Sequence, residues 1–149
     1  ATIAGFARTD LLCYRAEAPA DLVAHQHGSW QPLLDWAAER FGVVLASTKG
    51  VVFIEQAPSA LAAYRSAVDR YDDMMLTGIA QATETLGSLV LGLALSEGRI
   101  DAGEAIALAE LDEIHQMERW GEDVDALHRR KEMGHDVLSA ARFMALARA

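Results

Sequence analysis

The chain has 149 residues, 52% apolar and 23% charged, which is enough for one domain with a proper core and far from a disordered composition. Its formal charge of −9, from 22 acids against 13 lysines and arginines, argues against nucleic acid or an anionic membrane as partner and suits a basic protein surface. The single cysteine, Cys13, excludes an internal disulfide and fits a reducing compartment.

No signal-peptide pattern opens the chain, and its first residue is Ala1 rather than Met. Leu11, Leu12, Cys13 and Tyr14 form a short apolar run whose periodicity fits either helix or strand. After Pro19, Asp21 starts a helix to about Gly28. Proline interrupts a helix interior but is welcome in a first turn, so Pro32 places a second helix over Gln31–Phe41, with Ser29 as N-cap. Leu33, Leu34, Ala37 and Phe41 are its inner stripe, Gly42 ends it, and Trp30 and Trp36 need partners for their rings.

Val43–Ser47 and Val51–Glu55, on either side of Thr48-Lys49-Gly50, carry a hairpin signal. Pro58-Ser59 opens a helix to about Tyr71, with Leu61, Tyr64, Val68 and Tyr71 facing inward. Asp72-Asp73 interrupts, and Met74–Leu76 leads toward the apolar run Leu86–Leu95, which is too short for a bilayer and reads as a buried helix. Ser88, Gly92 and Ser96 give that helix a smooth edge for close approach, and Gly98 is placed to stop it. Leu89, Val90, Leu93 and Leu108 are expected to be almost fully buried.

Asp101 and Glu104 have the spacing of a capping box. Beyond them, one wheel over residues 102–120 puts Ala107, Leu108, Leu111 and Ile114 on an apolar stripe. Ile106, Glu110, Glu113, Met117 and Trp120 fall on the other side, where acids mix with large apolar groups. Either a neighbouring helix covers Ile106, Met117 and Trp120 and leaves the acids at the rim, or this is a partner surface. A last helix opens at Glu122, Asp123 and Asp125 and ends near Arg142 and Arg148, in keeping with the helix dipole. Met133, Val137, Leu138, Ala141 and Met144 are its core stripe. The architecture is mainly α, about six helices with one small β-hairpin.

The chain has no phosphate-cradling glycine loop, no GxSxG elbow and no CxxC. His25 and His27 with Asp35 are the one candidate metal set, but histidines two apart on a helix point to different faces. Cys13 reads as a small hydrophobe rather than a nucleophile. Asp112 and Glu113 diverge by about 100° on a helix and make a poor carboxylate pair. His115 reads as a partly buried residue with a local partner.

The segment LGSLVLGLALSEGRIDAGEAIALAELDEIHQMERWGED resembles the F1-ATPase assembly chaperones that attend the alpha subunit. TDLLCYRA, WQPLLDWAAERFG and TKGVVFIEQAP extend the resemblance through most of the chain, which departs from the family at Ile114-His115. The resemblance implies a C-terminal helical domain, with the family's β-rich N-terminal domain absent. It implies a chaperone that binds the newly made alpha subunit and shields the surface destined for the beta subunit. It further implies no enzymatic activity, no cofactor, and a place in the bacterial cytoplasm or the mitochondrial matrix. It points to the acidic pair Asp112-Glu113, to Gln116 and to Trp120-Gly121. Asp112, Glu113, Gln116 and Trp120, with Glu110 and Met117, are the candidate partner-binding residues, Glu113 at the surface and Asp112 nearer the core edge. The competing readings are an enzyme using Asp112, Glu113 and His115, and a regulatory helical protein-binding domain.

Overall fold

A computed structural model describes residues 3–42 and 44–148 of the chain. Among them are seven α-helices and one two-stranded sheet. The helices are α1 (Ala20–Phe41), α2 (Pro58–Asp69), α3 (Asp73–Leu86), α4 (Leu89–Ser96), α5 (Ala102–Ala109), α6 (Leu111–Trp120) and α7 (Val124–Arg148). Short 3-10 turns over Ile3–Thr9 and Leu11–Cys13 precede the first strand.

The centre of the domain is α4, every residue of which is buried. It has no polar face, so α1, α3, α5, α7 and the N-terminal turn must all lie against it. Leu86 does not belong to this helix. Gly87 takes φ +74 and closes α3, and Ser88 then caps α4 by accepting from the Leu91 N–H at 3.1 Å. The Gly92 edge works as expected, because a Cβ there would meet Thr83 Oγ1 of α3 at 2.4 Å.

The N-terminus of α4 is held by the start of the chain. The fully buried Asp10 accepts from Ser88 Oγ at 2.7 Å and from the Leu12 N–H at 3.1 Å through one oxygen. Its other oxygen accepts from the Val90 N–H at 3.1 Å. Burial pushes this carboxyl above its usual range, against the pull of those bonds.

Three expected boundaries give way to packing. First, the break expected before Gln31 is absent, and α1 runs through Pro32. A proline inside a helix costs about 3 kcal/mol. The stripe Leu22, Gln26, Trp30, Leu33, Leu34, Ala37 and Phe41 continues across it, and each large apolar side chain buried returns about 1.5–3 kcal/mol.

Second, there is no hairpin among the described residues around Gly50. Thr48–Lys49 (β2) instead pairs in parallel with Tyr14–Arg15 (β1), Tyr14 opposite Thr48 and Arg15 opposite Lys49. Val51, Val52 and Phe53 are 104%, 61% and 63% exposed, so a hairpin there would have had no face to bury. The Gln56 amide substitutes for a ladder, accepting from the Ala46 N–H and donating to the Ala46 carbonyl. Val43 lies outside the described residues.

Third, the helix expected over 102–120 is two helices meeting at Glu110. The capping box at its start is formed as expected, with Asp101 and Glu104 each bonding the other's backbone. Leu89, Val90 and Leu93 are fully buried, but Leu108 is only half-buried because it lines a small open cavity with His25 and Ser29 of α1. In α7, Val137 and Met144 are core and Met133 and Ala141 pack on it, but Leu138 is 40% exposed and Ala140 takes the inner position.

Candidate partner-binding site

Trp30 fixes where α6 begins. Its ring is completely buried, and its Nε1–H donates to the Leu108 carbonyl at 2.9 Å. That carbonyl stands at the end of α5, where the turn into α6 leaves it without the usual helical partner. Gln26 of α1, also fully buried, accepts from the Ala16 N–H at 2.8 Å and donates to Asp112 Oδ1 at 2.5 Å. The long helix α1 therefore holds the end of α5 and the start of α6 at two adjacent points.

The opposite flank of α6 faces the start of α7. Between them lies an open groove of about 310 Å³, lined by Glu113, Gln116, Met117 and Trp120 from α6. Ala126 and Arg129 of α7 form the other wall, and Glu122 and Asp123 the end. Four of the six candidate residues thus share one surface. Trp120 is 79% exposed, so the expectation that a neighbouring helix covers it is overturned: α7 departs beyond Gly121 and leaves the ring to solvent. Arg119 lies over that ring, 5.6 Å from its centroid. Met117 and Ile106 are half-buried, as covering would require, and Arg130 reaches the Met117 sulfur at 3.5 Å.

The acidic pair is arranged the other way round from expectation. Asp112 is the more exposed residue, and Glu113 is half-buried with its Oε1 3.8 Å from Arg129 and its Oε2 enclosed without a partner. Glu110 leaves the candidate surface altogether. It is the hinge between α5 and α6 and only 6% exposed. Burial first, then the adjoining Glu113 carboxyl, push Glu110 up to about 7, with Arg130 and Arg129 pulling weakly the other way. Arg129, Arg130 and Ala126 were absent from the sequence-based candidates. The signal was there in Arg129-Arg130-Lys131, a basic run in an acidic chain.

The residues of the enzyme reading do not meet. Asp112 is bound to Gln26, Glu113 lies against Arg129, and His115 bonds Asp21 at 3.2 Å on the far flank. His25 and His27 open onto different cavities, and no metal-sized cluster of ligating residues is present among the described residues. Cys13 is buried, and its thiol is pushed up to about 12 by burial and the nearby Asp10, the reverse of an activated nucleophile. No helix among the described residues is long and apolar enough to cross a membrane.

An all-helical core presenting an open, acid-rimmed groove with an exposed tryptophan has the form of a protein-binding domain. Comparison with known proteins shows what the chain is similar to. Residues 1–38 match the family model of the ATP12 chaperone protein. The crystal structure of Atp12 from Paracoccus denitrificans superposes with a TM-score of 0.94 at 40% identity, covering 97% of this chain and 62% of that one. A mutant of the same Paracoccus protein gives 0.95. A protein of Agrobacterium tumefaciens described as a candidate chaperone gives 0.87 at 40% identity, covering 96% of this chain and 53% of that one. The chain is similar to these ATP12 chaperones at 40% identity, and it spans less than two thirds of their length.

Proposed function

We propose that the chain is the C-terminal helical part of a non-enzymatic chaperone for assembly of the F1 sector of ATP synthase. In this reading it holds the unassembled alpha subunit until the beta subunit takes its place. The observation that carries the reading is the groove between α6 and α7. Glu113, Glu122 and Asp123 outnumber Arg129 along it, and a largely exposed Trp120 stands at its end. Such a surface suits a basic client patch with an apolar recess. The acids would speed encounter and choose the partner, and the ring would supply the anchor. Gln116, exposed on α6, adds a polar group to the groove, whereas Asp112 is held by Gln26 on the opposite flank.

The exposure of Trp120 makes the test clean. Trp120→Ala removes no core contact, so its melting temperature should stay within a degree or two of the parent's. Its protection of purified alpha subunit against aggregation should fall roughly tenfold or more, as for loss of an interface anchor. Equal protection by parent and variant would remove this groove from the client site. The enzyme reading gains no support from the geometry, since Asp112, Glu113 and His115 are held by separate partners.

A further inference from the structure

A second and larger cavity lies on the other side of α1, away from the α6–α7 groove. It measures about 610 Å³, within the range typical of small-molecule sites. Its floor is the two-stranded sheet, its wall is about the first three turns of α1 from Ala20 through His27 to Gln31, and Arg15 and Lys49 come from the paired strands. Arg15 is the unusual member. It is only 9% exposed, and its Nε donates to the Leu12 carbonyl at 2.7 Å while one terminal nitrogen donates to Gln31 Oε1 at 3.2 Å. The other terminal nitrogen has no protein acceptor and is open to the cavity, and Asp35 acts on the guanidinium through space without forming an ion pair. A largely buried guanidinium is ordinarily paired.

The surroundings define what would pair it. The N-terminus of α1, with Ala20 on the cavity wall, adds the positive end of a 22-residue helix; its first-turn Asp21, outside the lining, takes up the Leu22 N–H at 2.9 Å and offsets part of that field. Lys49 adds an exposed ammonium and Glu17 a carboxylate. The two cations and one anion leave a net charge of about +1, which one negative charge would balance; a phosphate dianion would be left in excess beside Glu17. The rest of the wall includes Val23 and Ala24, which offer an apolar seat.

We propose that this cavity binds a monocarboxylate with a short apolar body, the carboxylate between Arg15, Lys49 and the start of α1, the body against Val23 and Ala24. The same chemistry is offered by a free aliphatic acid or by a peptide C-terminus. The site is independent of client capture at α6 and α7.

The test is amide chemical-shift titration of the full chain with two probes, hexanoate and the dipeptide acetyl-Ala-Val with a free C-terminus. Hexanol and the amidated dipeptide are the uncharged controls, and inorganic phosphate is the third. Saturable shifts confined to residues 14–24 and 47–50 are expected with at least one carboxylate, and which probe binds more tightly tells the free acid from the peptide end. Lys49→Gln, at an exposed position, should weaken binding roughly tenfold, the effect of losing one charge-assisted contact. Arg15→Lys keeps the charge but loses the fork and should weaken it too, with circular dichroism to confirm the fold. Binding of neither carboxylate, equal binding of an uncharged control or of phosphate, or no change in Lys49→Gln would each overturn the proposal.

Discussion

Replacing Gly92 by alanine tests whether the contact between α3 and α4 is as close as it must be for α4 to be buried on all sides. At an ordinary helix interior position, alanine gains about 0.5–1 kcal/mol over glycine. Here the new methyl would collide with Thr83 Oγ1, while the Ile79 carbonyl oxygen at 3.4 Å would be in ordinary contact. Thr83 is completely buried, its Oγ1 already lacks a hydrogen-bond partner, and its β-branched side chain has little rotamer freedom. Overpacking of this kind costs about 1–3 kcal/mol. The clash therefore outweighs the helix gain, leaving a net loss of about 1–2 kcal/mol and a melting temperature lower by about 2–8 °C for a domain of this size. Thermal unfolding by circular dichroism reads this directly. Thr83→Ala alone opens a small void, and combined with Gly92→Ala it accepts the new methyl, so the double mutant should be more stable than the sum of the singles. A Gly92→Ala protein as stable as the parent, or a cycle with no coupling, would refute the close approach.

Glu110 gives the domain a pH dependence. Its folded-state value near 7 lies above the ordinary 4.5, so the folded protein holds a proton that the unfolded chain releases. The stability this contributes is full below about 4.5 and lost as pH rises through about 7. Glu110→Gln should therefore gain stability over the parent at pH 8 and little at pH 4.5, read from urea midpoints at both pH values; a constant difference would show that Glu110 is not the titrating group. Asp10→Asn leaves at least one of its buried donors facing an amide N–H instead of an acceptor, at about 1–3 kcal/mol for each lost partner. Its urea midpoint should drop clearly, and an unchanged midpoint would mean that the carboxylate does not hold α4.

The parts of the fold that could be read in the chain are those fixed by local chemistry. The capping box at Asp101 and Glu104 needs only those two residues and formed as spaced. The burial of Leu89, Val90 and Leu93 follows from a run with no polar side. What escaped depends on distant partners. Pro32 and Glu110 each reverse a local expectation: α1 continues through a proline because its apolar stripe continues, while residues 102–120 break without glycine or proline. At the second break the buried Trp30 takes up the Leu108 carbonyl, and nothing near residue 108 in sequence announces it. In the groove, α6 was legible as a face carrying Glu113, Met117 and Trp120. A wheel drawn through the break wrongly added Glu110, which turned inward. The wall from α7 was not legible, because only the packed structure brings Arg129 beside Glu113.

The Asp10 carboxylate also sets an order of events. It bonds Val90, 80 residues further along, and α4 has no other group to satisfy that amide. Synthesis at about 5–20 residues per second puts some 4–16 s between the appearance of the acceptor and that of the donor. Throughout that interval the N-terminal turn is a site without an occupant, and α1, which lies between them, can coil but cannot yet be seated. The centre of the domain therefore cannot be completed before residue 90 has been made, a contact of high sequence separation set by the placement of a single side chain.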